Sequence, residues 1–148
     1  MTSKLRKSNY CKSQSLISAN KIKPETWHLH EISVLKTLRA RGYDVQRIKK
    51  ITYLKHQICI SYWNKKGGVC SGLFSYRIFE YWQSAVQQLV QNCNSLYEMH
   101  YLNQLIEFEL THYPYPIEMQ ALINQTIEAY TSQLVELGSN KRNSHLVA

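Results

Sequence analysis

Between Gln57 and Tyr76 apolar and polar residues alternate with a period of two; after Arg77 the apolar residues recur with a period of 3.6. No single regular element satisfies both periods, so the chain must join extended strands to helices. In the first stretch Ile58, Ile60 and Tyr62 point one way while Gln57, Cys59, Ser61 and Trp63 point the other. Asn64-Lys65-Lys66-Gly67-Gly68 then supplies a hairpin turn with two glycines free to take positive φ, and the return strand spans residues 69–76, where Gly72 marks a bulge or a close contact. Past Arg77, Ile78, Tyr81/Trp82, Ala85/Val86, Leu89 and Cys93 form one helical face. Ser95 and Glu98 make a capping box, so a new helix starts near Leu96 and continues through Tyr101, Leu102, Leu105 and Phe108 to about Thr111. Pro114-Tyr115-Pro116 breaks it, and a last helix over 117–137 carries Ile123, Ile127, Tyr130 and Leu134 on one face, with Gly138 as its stop.

The first part of the chain has weaker periodicity. Residues 1–22 are dominated by Ser, Asn and Lys and are expected to form a flexible basic arm. Pro24 suits the first turn of a helix that ends at Gly42, with Trp27, Val34, Leu35 and Leu38 as its core stripe and Lys36, Arg39 and Arg41 in its last turn. Residues 43–54 admit two readings. Val45, Ile48, Ile51 and Leu54 repeat every three residues, which favours a short helix over 44–51 with Asp44 as N-cap; the alternative is a strand opening a three-stranded meander. The expected fold class is α+β: an N-terminal basic helix or helical pair, a central β-hairpin or three-stranded antiparallel meander, and C-terminal amphipathic helices. One globular domain over 23–138, divided at residue 76, lies between the arm and a loose tail of residues 139–148; 148 residues suffice for one core.

Charge divides the chain more sharply than composition does. Residues 1–66 hold 15 of the 18 Lys and Arg against three acids, a net of +12; residues 67–148 hold Arg77, Lys141 and Arg142 against seven glutamates, a net of −4. Such a chain meets a polyanion with one part and packs or pairs with the other. Nine bases lie between Lys36 and Lys66, on or beside predicted elements, where they can form a fixed surface. The residues expected to contact phosphates are Arg39, Arg41, Arg47, Lys49, Lys50, Lys55, Lys65 and Lys66, with Tyr62 or Trp63 as the stacking group, because basic side chains interleaved with aromatics suit phosphates and exposed bases together.

Leu38-Arg-Ala-Arg-Gly42-Tyr43-Asp44-Val45-Gln-Arg-Ile48-Lys-Lys-Ile51 resembles the first two helices of a helix-turn-helix unit, with Gly42 in the turn and Val45, Ile48 and Ile51 locking the second helix. The next element, however, is a hairpin and not a third helix. With 44–54 as a strand, the order helix, three strands, helix is similar to double-stranded RNA-binding domains in topology. Ser75-Tyr76-Arg77-Ile78-Phe79-Glu80 nevertheless lacks the lysines those domains carry at the start of the last helix. The same order is similar to the small DNA-binding modules of plant regulators and phage integrases, which read the major groove with strands, again without matching diagnostic residues.

Enzyme chemistry finds no foothold: no Gly-rich phosphate loop, nucleophile elbow or paired catalytic carboxylates occur. Glu25–His28 and Glu109–His112 have the spacing of bundle metal ligands, but both fall at predicted helix ends, and no metal or cofactor is expected. The four cysteines form no CxxC pair; Cys59 and Cys70 belong to adjacent strands, where a cross-strand disulfide competes with the preferred reading of free thiols. No apolar run approaches the ~18–20 residues that span a bilayer, so membrane insertion is not expected. The Ser- and Lys-rich residues 1–23 overlap in composition with organellar targeting peptides, the secondary reading to a cytoplasmic or nucleoid/nuclear location. The sequence thus leads to a non-enzymatic nucleic-acid binder, DNA favoured over RNA, acting as a small regulator or accessory factor and pairing as a homodimer through the C-terminal helices. A protein–protein adaptor or inhibitor docking its basic face on an acidic partner is the alternative.

Overall fold

The computed structural model describes residues 14–147. An irregular turn and a 3₁₀ turn at Pro24–Thr26 lead to helix α1 (Glu31–Ala40), strands β1 (Arg47–Tyr53), β2 (Gln57–Trp63) and β3 (Val69–Ser75), and helices α2 (Glu80–Gln91), α3 (Leu96–His112) and α4 (Ile117–Val147). The strands form one antiparallel meander in the order β1-β2-β3, giving the expected α+β class. Its inner face presents Ile48, Ile58, Ile60, Tyr62 and Phe74 to the core, which Val34 and Leu38 of α1, Trp82, Val86 and Val90 of α2, and the apolar stripes of α3 and α4 complete.

Residues 47–53 are a strand, not part of a helix, and the cause of the misleading period is visible. Ile48 pairs with Tyr62 and Lys50 with Ser61, so Lys49 is an extra residue in a β-bulge. That insertion puts Ile48 and Ile51, three residues apart, on the same inner face, a spacing a helix would also produce. The helix-turn-helix reading falls with it. After Gly42, whose φ is +92°, the chain makes a connection into the sheet.

The first helix is also shorter than expected. After the 3₁₀ turn the chain is extended at Trp27, and α1 begins only at Glu31, where the His30 ring nitrogen Nδ1 accepts from the Ile32 N–H at 3.3 Å. Trp27 therefore lies outside the helical stripe and packs its ring against Tyr76, Tyr81 and Trp82. At the other end α4 does not stop at Gly138: its backbone stays helical to Val147, through residues expected to be a loose tail. Gly138 does not take the positive φ that a glycine stop uses. The expected cap at Ser95 forms, with Ser95 Oγ accepting from the Glu98 N–H at 3.2 Å, while the Glu98 carboxylate reaches back one residue further, accepting from the Asn94 N–H at 2.8 Å.

The largest departure concerns the N-terminal arm. Residues 1–13 lie outside the described residues, but the segment 14–22 docks on the core, with Leu16, Ile17 and Ile22 buried. The segment is an irregular turn, closed by Ala19 N–H to Ser15 O at 2.9 Å and Lys21 N–H to Leu16 O at 2.9 Å, with Asn20 at φ 57°. Irregular backbone imposes no period, so tertiary contacts alone hold its apolar residues.

Those contacts meet the polar centre of the core. Arg77 and Glu109 are a buried ion pair, with Arg77 Nη2 donating to Glu109 Oε2 at 2.8 Å and Nε donating to Oε1. Tyr115 Oη also donates to Oε1, Trp82 Nε1 donates to Tyr115 Oη at 2.9 Å, and the backbone N–H of Leu16 donates to Oε2 at 2.9 Å. The guanidinium lies 3.7 Å from the Tyr113 ring centre and 4.7 Å from that of Trp82. Burial alone would lower the Arg77 pKa, but the Glu109 carboxylate beside it outweighs that and the net shift is upward, so the guanidinium keeps its charge in the core. Among the described residues no buried side-chain nitrogen or oxygen lacks a partner.

Candidate nucleic-acid interface

The bulge in β1 matters for the sheet's outer face as much as for the core. In a regular strand Lys49 and Lys50 would point to opposite faces. Here Lys50 is level with Ser61 on the outer face, and the extra Lys49 reaches the same side, its Nζ 5.2 Å from the Trp63 ring centre. Arg47, directly opposite Trp63, sets its guanidinium 5.8 Å from that ring. Two cations so close to an indole face are held by its quadrupole and keep their charge toward solvent. No shielding carboxylate sits among them, since Arg77–Glu109 is the one ion pair of the described residues.

Lys65 and Lys66 follow Trp63 and Asn64, in the β2–β3 turn. There Asn64 Oδ1 accepts from the Lys66 N–H at 3.0 Å and the Gly68 N–H at 2.8 Å, and Gly67 takes φ +85°. The asparagine thus fixes a short rigid tip that carries both lysines at the end of the sheet where Arg47 lies. Arg39 is near this end too, but its guanidinium has work of its own: Nε donates to Val45 O at 2.8 Å and Nη2 to Gln46 O at 3.3 Å, pinning α1 to the entry of β1. It is a positioning residue with an exposed edge. Arg41 is exposed at the α1 C-terminus, and Lys55 is exposed in the β1–β2 turn, at the opposite end of the sheet.

Tyr62 leaves the candidate set. It lies on the inner face, 8% exposed, opposite Cys70, so it cannot stack on a ligand; burial, and after it the neighbouring Cys70, push its pKa up. The alternation of β2 itself sets it opposite to Trp63. Cys70 shares that inner face while Cys59 lies on the outer one, level with Leu73, so the two cannot bridge; Cys59, Cys70 and Cys93 are free thiols.

Sequence reasoning misses the middle of the outer face. Thr52 opposes Cys59, and Ser61 opposes Ser71 with their hydroxyl oxygens 2.8 Å apart. These short donor–acceptor groups sit between the basic residues of β1 and an apolar margin on β3, where Val69 is 49% and Leu73 57% exposed. The polar half of the β2 alternation is the signal that could have found them, and the expected interface draws only Trp63 from it. The metal-spaced pair Glu109–His112 comes apart in space: Glu109 belongs to the buried network, whereas the His112 ring is exposed, stacks on Phe108 at 4.0 Å and has Nδ1 3.0 Å from Phe108 O. Among the described residues no three His, Cys, Asp or Glu side chains converge as metal ligands, and no helix is long and apolar enough to cross a membrane.

Compared with known proteins, the chain matches no protein-family profile, no curated protein and no solved structure.

Proposed function

We propose that this protein binds nucleic acid, duplex DNA in preference to RNA, through the outer face of its three-stranded sheet, as a non-enzymatic regulator or accessory factor. The observation that carries the reading is the bulge-made cluster of Arg47, Lys49 and Lys50 around Trp63. Charge and shape argue together. Three strands spaced about 4.8 Å apart make a slab roughly 10 Å across, which fits a B-DNA major groove about 12 Å wide. The deep, narrow major groove of A-form RNA would not admit it. Seated there, Thr52, Ser61 and Ser71 would face base edges, with Arg47, Lys49, Lys50, Lys65 and Lys66 against the phosphates of one flank and Arg41 and Lys55 farther out. Trp63 would serve chiefly to hold Arg47 and Lys49 in place.

Each phosphate neutralised releases counterions, so the affinity should fall steeply with salt. The test is titration of duplex DNA, single-stranded DNA and duplex RNA at two salt concentrations, in which duplex DNA is expected to bind tightest with a strongly negative salt slope. Nanomolar affinity retained at ~1 M salt would overturn the mechanism.

The exposed Val69 and Leu73 favour a second reading, an adaptor whose basic and apolar sheet face docks on an acidic protein. An adaptor binds none of the three nucleic acids in that titration.

A further inference from the structure

We infer that Val69 and Leu73 of β3 read thymine methyl groups, so that the duplex this sheet face selects is rich in A·T pairs; the inference rests on the DNA-binding reading above and adds the bases it selects. β1 turns Arg47, Lys50 and Thr52 to the outer face and β3 turns Val69, Ser71 and Leu73, both in register with β2. Trp63 lies between Arg47 and Val69, and Cys59 between Thr52 and Leu73. The face is therefore split lengthwise. Its β1 side is cationic, whereas β3 has no charged residue, and Val69 and Leu73 are 49% and 57% exposed.

The split decides what β3 can touch. With Arg47, Lys49 and Lys50 drawn to the phosphates of one strand, β3 lies two strand spacings away, about 10 Å across the groove. Without a cation it gains little from the second backbone, so its outward side chains are left to the base edges. Hydroxyls such as those of Ser61 and Ser71 both donate and accept, so they pair with any base. Valine and leucine do neither. The one apolar group that a base pair displays in the major groove is the C5-methyl of thymine; cytosine carries only hydrogen there. Covering that methyl takes apolar surface of both partners out of water, whereas the same side chains set against a G·C pair would bury polar edge atoms without partners.

Spacing and a neighbouring side chain point the same way. Val69 and Leu73 are four residues apart on an extended strand, about 13 Å, comparable to about four base-pair steps along the duplex axis. Thymines at that separation meet both side chains, with Ser71 over the bases between them. Gln57, exposed and level with Ser75, stands on the outer face next to the Cys59–Leu73 pair. Its carboxamide donates and accepts at once, which fits the N6/N7 edge of adenine, the partner of thymine.

The test compares the affinity of the full-length protein for an alternating A·T duplex and for the same duplex built with uracil, which keeps every hydrogen-bonding group and lacks only the methyls. The thymine duplex is expected to bind about 3- to 10-fold tighter, with the same steep salt slope for both. Leu73→Ser, at an exposed position, should reduce that ratio to below about twofold with its circular dichroism unchanged, whereas Leu73→Met should keep it. Equal binding of the two duplexes, each with a steep salt slope, overturns the methyl contact and leaves the sheet face as a DNA surface. A thymine preference that persists in folded Leu73→Ser also overturns it, because duplex shape then makes the difference. Failure to bind either duplex overturns the assignment of the sheet face to DNA, and this inference with it.

Discussion

Arg77 and Arg47 carry the same guanidinium and are put to opposite uses. Arg77, 3% exposed, is enclosed by the Glu109 carboxylate and the rings of Trp82 and Tyr113, and its charge is spent inside the molecule. Arg47 lies exposed on the sheet's outer face with an indole beneath it and no acid beside it. The lesson is that basic residues in the sequence are not equivalent votes for a polyanion partner. What separates them is whether folding supplies a carboxylate. The core does so through Glu109, one of seven glutamates in the acidic half of the chain, whereas the outer sheet face has none.

Breaking the buried side should have the largest effects. Glu109→Ala leaves an uncompensated buried guanidinium and removes the acceptor of the Leu16 N–H and Tyr115 hydroxyl, with an expected loss of about 3–5 kcal/mol in chemical denaturation. Leu16→Ala, in the segment whose composition suggests a solvated arm, should cost about 2–4 kcal/mol in the same assay. Were residues 14–22 merely an arm, the change would be silent.

Alkaline pH tests the same core without mutation. Burial, reinforced by Glu25 and Tyr53, pushes the Tyr76 pKa up to about 12 from its ordinary 10.0. Tyr115 is shifted upward too, by burial and then by Glu109. A hydroxyl whose pKa is higher folded than unfolded adds stability that is complete below the unfolded value and disappears as pH rises through the folded one. Stability should therefore drop by on the order of 2 kcal/mol between pH 10 and 12, followed by tyrosinate absorbance alongside the denaturation midpoint.

On the exposed side the pattern should invert. Trp63→Ala is expected to leave stability within about 1 kcal/mol of wild type while weakening DNA binding by roughly 1 kcal/mol through loss of the surface that orders Arg47 and Lys49. Equal damage to folding and binding would erase the distinction between the two arginines.

Much of this architecture is legible in the sequence, and the misses have physical causes. Strands β2 and β3, the Asn64–Gly68 turn and the Ser95 cap rest on local rules of alternation, positive φ and side-chain capping, which the sequence states directly. β1 reads as a helix because a bulge converts a two-residue period into a three-residue one around Ile48 and Ile51. The buried turn at Leu16 and the Arg77–Glu109 pair depend on contacts 93 and 32 residues apart, which no local window contains. Of the expected interface residues, Arg47, Lys49, Lys50 and Trp63 share one face, and Lys65 and Lys66 flank it. Tyr62 faces the core and Arg39 is occupied by backbone carbonyls. Local alternation separates Tyr62 from Trp63, but only the bulge puts both Lys49 and Lys50 beside Trp63.

The most direct measurement of the central claim is duplex DNA affinity as a function of salt for wild type and for the Arg47→Glu/Lys49→Glu/Lys50→Glu variant, with circular dichroism showing that both are folded. The triple variant is expected to lose at least about a hundredfold in affinity at low salt and to flatten the slope of log K against log salt by about 2–3, the number of phosphate contacts removed. A folded triple variant that binds with unchanged affinity and unchanged slope would contradict the assignment of the sheet face as the interface.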